Sequence, residues 1–220
     1  MEAKNAVQAI MNRRSIRKYK PEQLTEEQLG IILDAFTWAP TARNAQEVRA
    51  IVLQDAEMLK AFAADFEAFA TATGGKLFKN FYFDAPTLIL LCGDAEFPYT
   101  AIDSGIAAEN MAIAADSIGL GTVILGCIRN YMADPASAQW RAKFGIKDDE
   151  MFTIALAVGT PDCEIPKGAA RKEGKIVFVK YCVFDLMEWQ THSMRFLACY
   201  RFCSGFYIFL VGLRQSSAVL

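Results

Sequence analysis

Ile102-Asp-Ser-Gly-Ile-Ala-Ala-Glu-Asn-Met-Ala-Ile-Ala-Ala-Asp-Ser-Ile-Gly-Leu-Gly-Thr-Val-Ile-Leu-Gly-Cys127 holds the decisive change of period in this chain. Ile102–Ile118 is rich in alanine and reads as a long helix, Gly119 ends it, and Thr122–Cys127 follows as a strand. The neighbours repeat that alternation. Ala3–Met11 places Ala3, Ala6, Val7 and Ile10 at helical spacing, and Thr25-Glu-Glu-Gln28 is a capping box that opens a helix through Trp38, stopped by Pro40. Val48–Leu53 reads as a buried strand, Asp55 caps a helix toward Thr73, and Gly74-Gly75 breaks it. Thr87–Cys92 and Met151–Val158 are further strands, and Asp134-Pro135 starts a helix to Phe144. Helices interleaved with about four strands imply an α+β or α/β layer fold, and periodicity leaves the strand order open.

Composition bounds the function. Of 220 residues, 53% are hydrophobic, ample for a core and against global disorder. Lys and Arg total 23 against 25 for Asp and Glu, a net charge of −2 with no overall basic field for nucleic acid. The single histidine, His192, cannot build a zinc site, and a Ser-His-Asp triad would rest on it alone. Six cysteines without a CxxC pair, behind a polar N-terminal stretch, point to a reducing cytoplasm.

Three segments carry candidate chemistry. Arg13-Arg14-Ser15-Ile16-Arg17-Lys18-Tyr19-Lys20 concentrates cations and a hydroxyl, the donor set a phosphate needs, or else forms a solvated basic turn. Trp38-Ala-Pro-Thr-Ala-Arg-Asn-Ala-Gln46 offers Thr41, Asn44 and Gln46 to a polar heterocycle, although such residues most often satisfy their own backbone. Ser117-Ile-Gly-Leu-Gly-Thr-Val-Ile-Leu-Gly126 lets the backbone approach a ligand closely, yet it is no GxGxxG fingerprint, since Ile124 stands at the last glycine. No P-loop or GxSxG elbow occurs.

In this order and at these separations the three segments resemble the FMN-dependent nitroreductase family, in its short members. The resemblance rests on Arg13-Arg14-Ser15-x-Arg17, on Ala39-Pro40-Thr41-x-x-Asn44-x-Gln46, on the Asp103–Gly121 helix ending in Gly-Leu-Gly, and on Val158-Gly159-x-Pro161 followed by Arg171-Lys172, over roughly residues 4–180. It implies an α+β sandwich with a central, mostly antiparallel sheet flanked by helices, forming a homodimer with FMN at the subunit interface. Arg13, Arg14 and Ser15 would contact phosphate and ribityl, and Arg17 would reach the pyrimidine side of the ring. Pro40, Thr41, Asn44 and Gln46 would come from the partner subunit. Val123, Ile124, Leu125 and Gly126 would lie against the ring, with a backbone N–H of Leu125 or Gly126 donating to N5. Arg171 would close on the phosphate, although a second basic residue common two positions earlier is Ala169 here, which Lys172 would have to replace.

The implied activity is NAD(P)H oxidation, with hydride passed through flavin N5 to a small acceptor such as a nitroaromatic or quinone by ping-pong kinetics, and with no side-chain nucleophile. Two alternatives stand beside it: another reaction at the flavin site, such as flavin fragmentation, dehalogenation or desaturation, and a non-enzymatic flavin or phosphate-ligand module. Tyr99 and the run Phe81-Tyr82-Phe83 are candidates for the pocket wall, and Asp103 for a helix N-cap. Residues 1–180 are expected to form the FMN-binding domain. Residues 181–220 depart from the family in their aromatic and cysteine content and read as a frameshift, a read-through or an extension. Phe196–Leu213 is apolar but interrupted by Arg201, so no membrane association is expected.

Overall fold

The computed structural model describes residues 5–74 and 80–179, and the backbone of 187–191, 194–198 and 210–214. Its contacts divide the chain into two units, Met1–Ala169 and Ala170–Leu220.

In the first unit, helices α1 (Ala6–Asn12), α2 (Glu26–Thr37), α3 (Ala56–Ala72) and α4 (Thr100–Ser117) alternate with strands β1 (Val48–Leu53), β2 (Thr87–Asp94) and β3 (Gly121–Leu125). Short helices α5 (Arg129–Ala133) and α6 (Ala138–Lys143) precede β4 (Glu150–Gly159). The sheet order is β1-β2-β4-β3 and every pairing is antiparallel, so the fold is α+β. The strand order that periodicity leaves open thus follows from β4 returning between β2 and β3.

The continuous apolar run of β2 is explained by burial on both faces. Leu88 and Leu90 face one core with Phe62, Phe66, Tyr131 and Trp140, while Ile89 and Leu91 face the other with Ile32, Ala108 and Met111. Helices α3, α5 and α6 cover the first face; α2 and α4 cover the second. Alanines at 107, 108, 112 and 115 let α4 lie close on the sheet, all of them at most 3% exposed.

Caps decide where the helices begin. Thr25 and Gln28 form the expected box, with Gln28 N–H donating to Thr25 Oγ1 at 3.1 Å and Thr25 N–H to Gln28 Oε1 at 3.0 Å. Asn5 and Gln8 make a second box. Asp55 caps α3, and Gly74 at φ +67° follows its end.

Three expectations shift. The helix expected from Asp134 to Phe144 begins as a 3-10 turn, Pro135–Ser137, because Asp134 accepts from Ala136 N–H, and only Ala138–Lys143 is α-helical. Asp103 does not cap α4: Tyr99 occupies that position, and Asp103 sits inside the first turn, 2% exposed. Phe81 and Tyr82 are core, 1% and 4% exposed, although Tyr82 also borders a hollow with Gln23, Lys60 and Asp84.

The second unit contains a three-stranded antiparallel sheet in the order β5 (Met187–Thr191), β6 (Met194–Ala198), β7 (Leu210–Arg214). His192 and much of Phe196–Leu213 lie outside the described residues. Among the described residues no helix is long and apolar enough to cross a membrane.

Candidate functional site

Arg13 follows α1 directly, and the chain then runs extended beside the start of β3. Ser15 pairs with Thr122 in a parallel bridge, and Ile16 N–H donates to Thr122 O at 2.9 Å. Two segments separated by more than a hundred residues are thereby placed side by side. Close packing holds them there, because a Cβ on Gly121 would lie 2.7 Å from Ile16 Cγ1. Beyond the bridge Tyr19 is buried, its hydroxyl donating to Ile16 O at 2.7 Å and its phenol pushed well above the ordinary value by burial.

Next to this junction is a cleft of about 270 Å³ lined by Arg13, Arg14, Gly119, Gly121, Thr122 and Lys167, among others. Arg14 folds back over the end of α1, donating from Nη1 to Met11 O at 2.9 Å and Arg13 O at 2.8 Å. Arg13 Nε lies 3.3 Å from Glu109 Oε1 of α4, off the line of a hydrogen bond. Among the described residues, the Nε–H groups of Arg13 and Arg14 and the Thr122 hydroxyl are buried without a hydrogen-bond partner. Buried donors of this kind are costly unless a ligand completes them. Arginine forks and a hydroxyl suit a phosphate, so the residues present fit a phosphorylated cofactor. Lys167 was not singled out in the sequence, where a lone lysine in a polar loop carries no signal.

Arg17 is exposed, its guanidinium 5.9 Å from the Phe83 ring centre and Nη1 3.4 Å from Ser15 O. Val123 and Leu125 are buried on β3, Ile124 is half-buried, and Gly126 is exposed with nothing within 4 Å of where a Cβ would stand. Backbone can therefore be approached closely at the end of this strand.

The loop with Pro40, Thr41, Asn44 and Gln46 stands elsewhere. Ala42 N–H donates to both carboxylate oxygens of Asp103, each at 3.1 Å, which ties the loop to the first turn of α4. Gln46 N–H donates to Thr41 Oγ1 at 3.2 Å and Gln46 Nε2 to Asn44 Oδ1 at 3.1 Å. Arg43, Asn44 and Gln46 all have left-handed backbone, at φ 57°, 52° and 55°. Such a cluster without glycine marks a shape imposed by its surroundings. Tyr99 belongs to this end of α4, with the Arg43 guanidinium 5.8 Å from its ring centre and Phe97 edge-on at 5.7 Å.

Asp103 holds the loop, whereas Asp116, thirteen positions along α4, lines the basic cleft with Gly119. At about 1.5 Å per residue these are roughly 20 Å apart along the helix. The structure therefore brings Arg13, Arg14 and Ser15 to β3, with Arg13 beside Glu109 in the middle of α4, and ties the loop at Ala42 to the first turn of that helix. Arg171 and Lys172 belong to the second unit, where both are exposed and line a hollow with Lys175. Among the described residues no group of His, Cys, Asp or Glu is placed to hold a metal ion.

Residues 10–160, which contain the basic segment, the 41–46 loop and all four strands of the first sheet, match the model of the nitroreductase family. The chain belongs to the nitroreductase family. It is 34% identical over 160 residues to an Archaeoglobus fulgidus protein named for NADH dehydrogenase and NAD(P)H nitroreductase, covering 70% of this chain and 84% of that one. A Vibrio harveyi protein named NADPH-flavin oxidoreductase is 29% identical, over 72% of this chain and 66% of its own length. In fold, a Bacteroides fragilis nitroreductase solved with bound FMN superposes with a TM-score of 0.74 at 22% identity, over 80% of this chain and all of that one. An FMN-dependent nitroreductase from Clostridium difficile R20291 gives 0.70 at 26% identity, over 80% and 99%. With the nitroreductase family comes its class of chemistry, that of a flavin-dependent oxidoreductase.

Proposed function

We propose that the chain binds FMN and catalyses NAD(P)H-dependent reduction of a small acceptor of the nitroaromatic or quinone type, by ping-pong kinetics. The observation that carries the reading is the Ser15–Thr122 bridge, which sets two unsatisfied arginine donors beside a strand that ends in an approachable Gly126. FMN would supply the two-electron chemistry, accepting hydride from the nicotinamide and returning it to the acceptor. The chain's own residues bind and orient. Arg13, Arg14 and Ser15 hold the phosphate and ribityl end, Arg17 presents positive charge to the pyrimidine edge, and Ile124–Gly126 flank the ring with backbone donors.

The dimer belongs to the same reading. The loop with Pro40, Thr41, Asn44 and Gln46 is tied to the first turn of α4 and lines no part of the Arg13–Arg14 cleft, and on this reading a second copy supplies it to the site. An exposed apolar face favours that copy: Val7, Ile10 and Met11 on α1, Trp38 after α2, and Ile102 and Ile106 on α4 face outward, with Trp38 84% exposed. Gly105 leaves open space between Ile102 and Ile106, which suits close helix packing. Free Cys92, Cys127 and Cys163 are in keeping with a cytoplasmic setting.

The test is the visible spectrum of the purified protein, followed by anaerobic NADH and then NADPH. Flavin bands near one per protomer that bleach with either nucleotide bear out the reading. A colourless chain that refuses added FMN, or kinetics that require a ternary complex, overturns the corresponding part.

A further inference from the structure

We propose that Asp103 is the positioning residue for the 41–46 loop, setting flavin affinity through Asn44 and Gln46, neither of which it touches. The proposal rests on the flavin reading above and goes beyond it, since Asp103 itself contacts no cofactor.

A carboxylate buried inside the first turn of a helix needs a reason. Buried beside it on α4 are Ala107 and Ala108, both at most 3% exposed, and Thr100 and Ser104, whose hydroxyls donate to Asp94 O and Thr100 O. Among the described residues, its two oxygens accept from one backbone N–H, that of Ala42, at 3.1 Å to each. Burying an acid against one amide costs stability, and what the fold gains at Asp103 is the fixed position of that amide. Ala42 stands immediately before the left-handed residues, and Arg43, Asn44 and Gln46 would each relax toward ordinary backbone if the loop were free. Within the loop the restraints are neutral hydrogen bonds: Asn44 N–H to Thr41 O, Ala45 N–H to Ala42 O, Gln46 N–H to Thr41 Oγ1 and Gln46 Nε2 to Asn44 Oδ1. The bond to Asp103 is the charge-assisted one, and it fastens the loop to the most deeply packed helix of the fold. Asp103 thus presents the Asn44 and Gln46 amides in one arrangement, and a loop that searches several shapes binds more weakly in proportion to the fraction in the competent one.

The experiment uses the full chain, stripped of flavin and then titrated with FMN, comparing wild type, Asp103→Ala, Asp103→Asn, Gln46→Ala and the Asp103→Ala/Gln46→Ala pair. Asp103→Ala is expected to raise the FMN Kd about tenfold, and Asp103→Asn, which keeps an oxygen toward Ala42, by less. Hydrogen exchange of the flavin-free protein should quicken at residues 41–46 while the strands keep their protection. The two alanine changes should combine to less than the product of their separate effects, because both act through Gln46. Native exchange in the loop, or full additivity, overturns the proposal. If Asp103→Ala does not fold, Asp103→Asn decides: wild-type exchange and wild-type FMN affinity in that variant are the overturning result. A wild-type chain that takes up no FMN overturns the flavin reading and the affinity role together, and the exchange comparison then still decides whether Asp103 holds the loop.

Discussion

Arg49 on β1 and Glu150 at the start of β4 reach across the intervening strand β2 to form a two-pronged pair, Nε to Oε1 and Nη2 to Oε2, each at 2.6 Å. The guanidinium, followed by the Lys147 N–H at 3.0 Å, holds the Glu150 carboxyl down from 4.5 to about 2. A carboxyl lowered on folding contributes stability that is full above its unfolded value and fades as pH falls toward the folded one. Urea melts should therefore show a loss between about pH 4.5 and 2 that Glu150→Gln lacks. At pH 7 the same variant should be weaker by about 2 kcal/mol, because Arg49 keeps part of its solvation.

Gly121 admits no side chain. Valine there would press on Ile16 and on Pro161, whose Cγ lies 3.0 Å from the Cβ position. Gly121→Val should cost about 1–3 kcal/mol in stability and displace Ser15 from Thr122. Flavin content of the purified variant checks this, and normal loading would contradict the placement of the two segments.

Arg13 serves a phosphate on the proposed reading, so its removal should separate two ligands that share a ring. Arg13→Ala is expected to weaken FMN about tenfold or more while leaving riboflavin unchanged. Fluorescence titration with each flavin measures the ratio, and equal losses would mean that Arg13 acts on the fold.

Ile106 projects from α4 beside Gly105. Ile106→Glu should give a folded monomer that has lost FMN, because each half-site then lacks the other's loop. Sedimentation and absorbance on one sample report both, and a flavin-loaded monomer would refute the shared site.

The domain boundary expected near Lys180 gives a further outcome. A chain ending at residue 180 should be more soluble than the full chain and keep its flavin. Loss of the dimer on truncation would show that residues 181–220 are part of the assembly.

The sequence reveals this molecule best where one residue's chemistry acts locally. Thr25 and Gln28 cap the helix they announce, Asp55 does the same, and the apolar run from Thr87 reads as the strand that it is. Arg13, Arg14 and Ser15 alone read equally as a solvated basic turn, and only their order with the other segments points to phosphate chemistry. What was hidden depends on distant pairing. Asp103 looks like a cap because it stands near a helix start, and its bond to Ala42, 61 residues away, leaves no trace in spacing. Val7, Ile10 and Met11 have core-like periodicity yet face outward, since periodicity reports an apolar face and not what covers it. Lys167 reaches the cleft only through the course of the loop after Pro161.

The Ser15–Thr122 bridge has a second effect. β3 is the outermost strand beyond β4, and an uncovered strand at a sheet's margin invites pairing with other chains. Ile16 N–H takes the Thr122 carbonyl on that open side, so the segment bearing the arginines also shields the rim of the sheet. Any change that pries it loose exposes a template for aggregation at the same moment as it parts the arginines from β3, and on the proposed reading loss of cofactor and loss of solubility become one event.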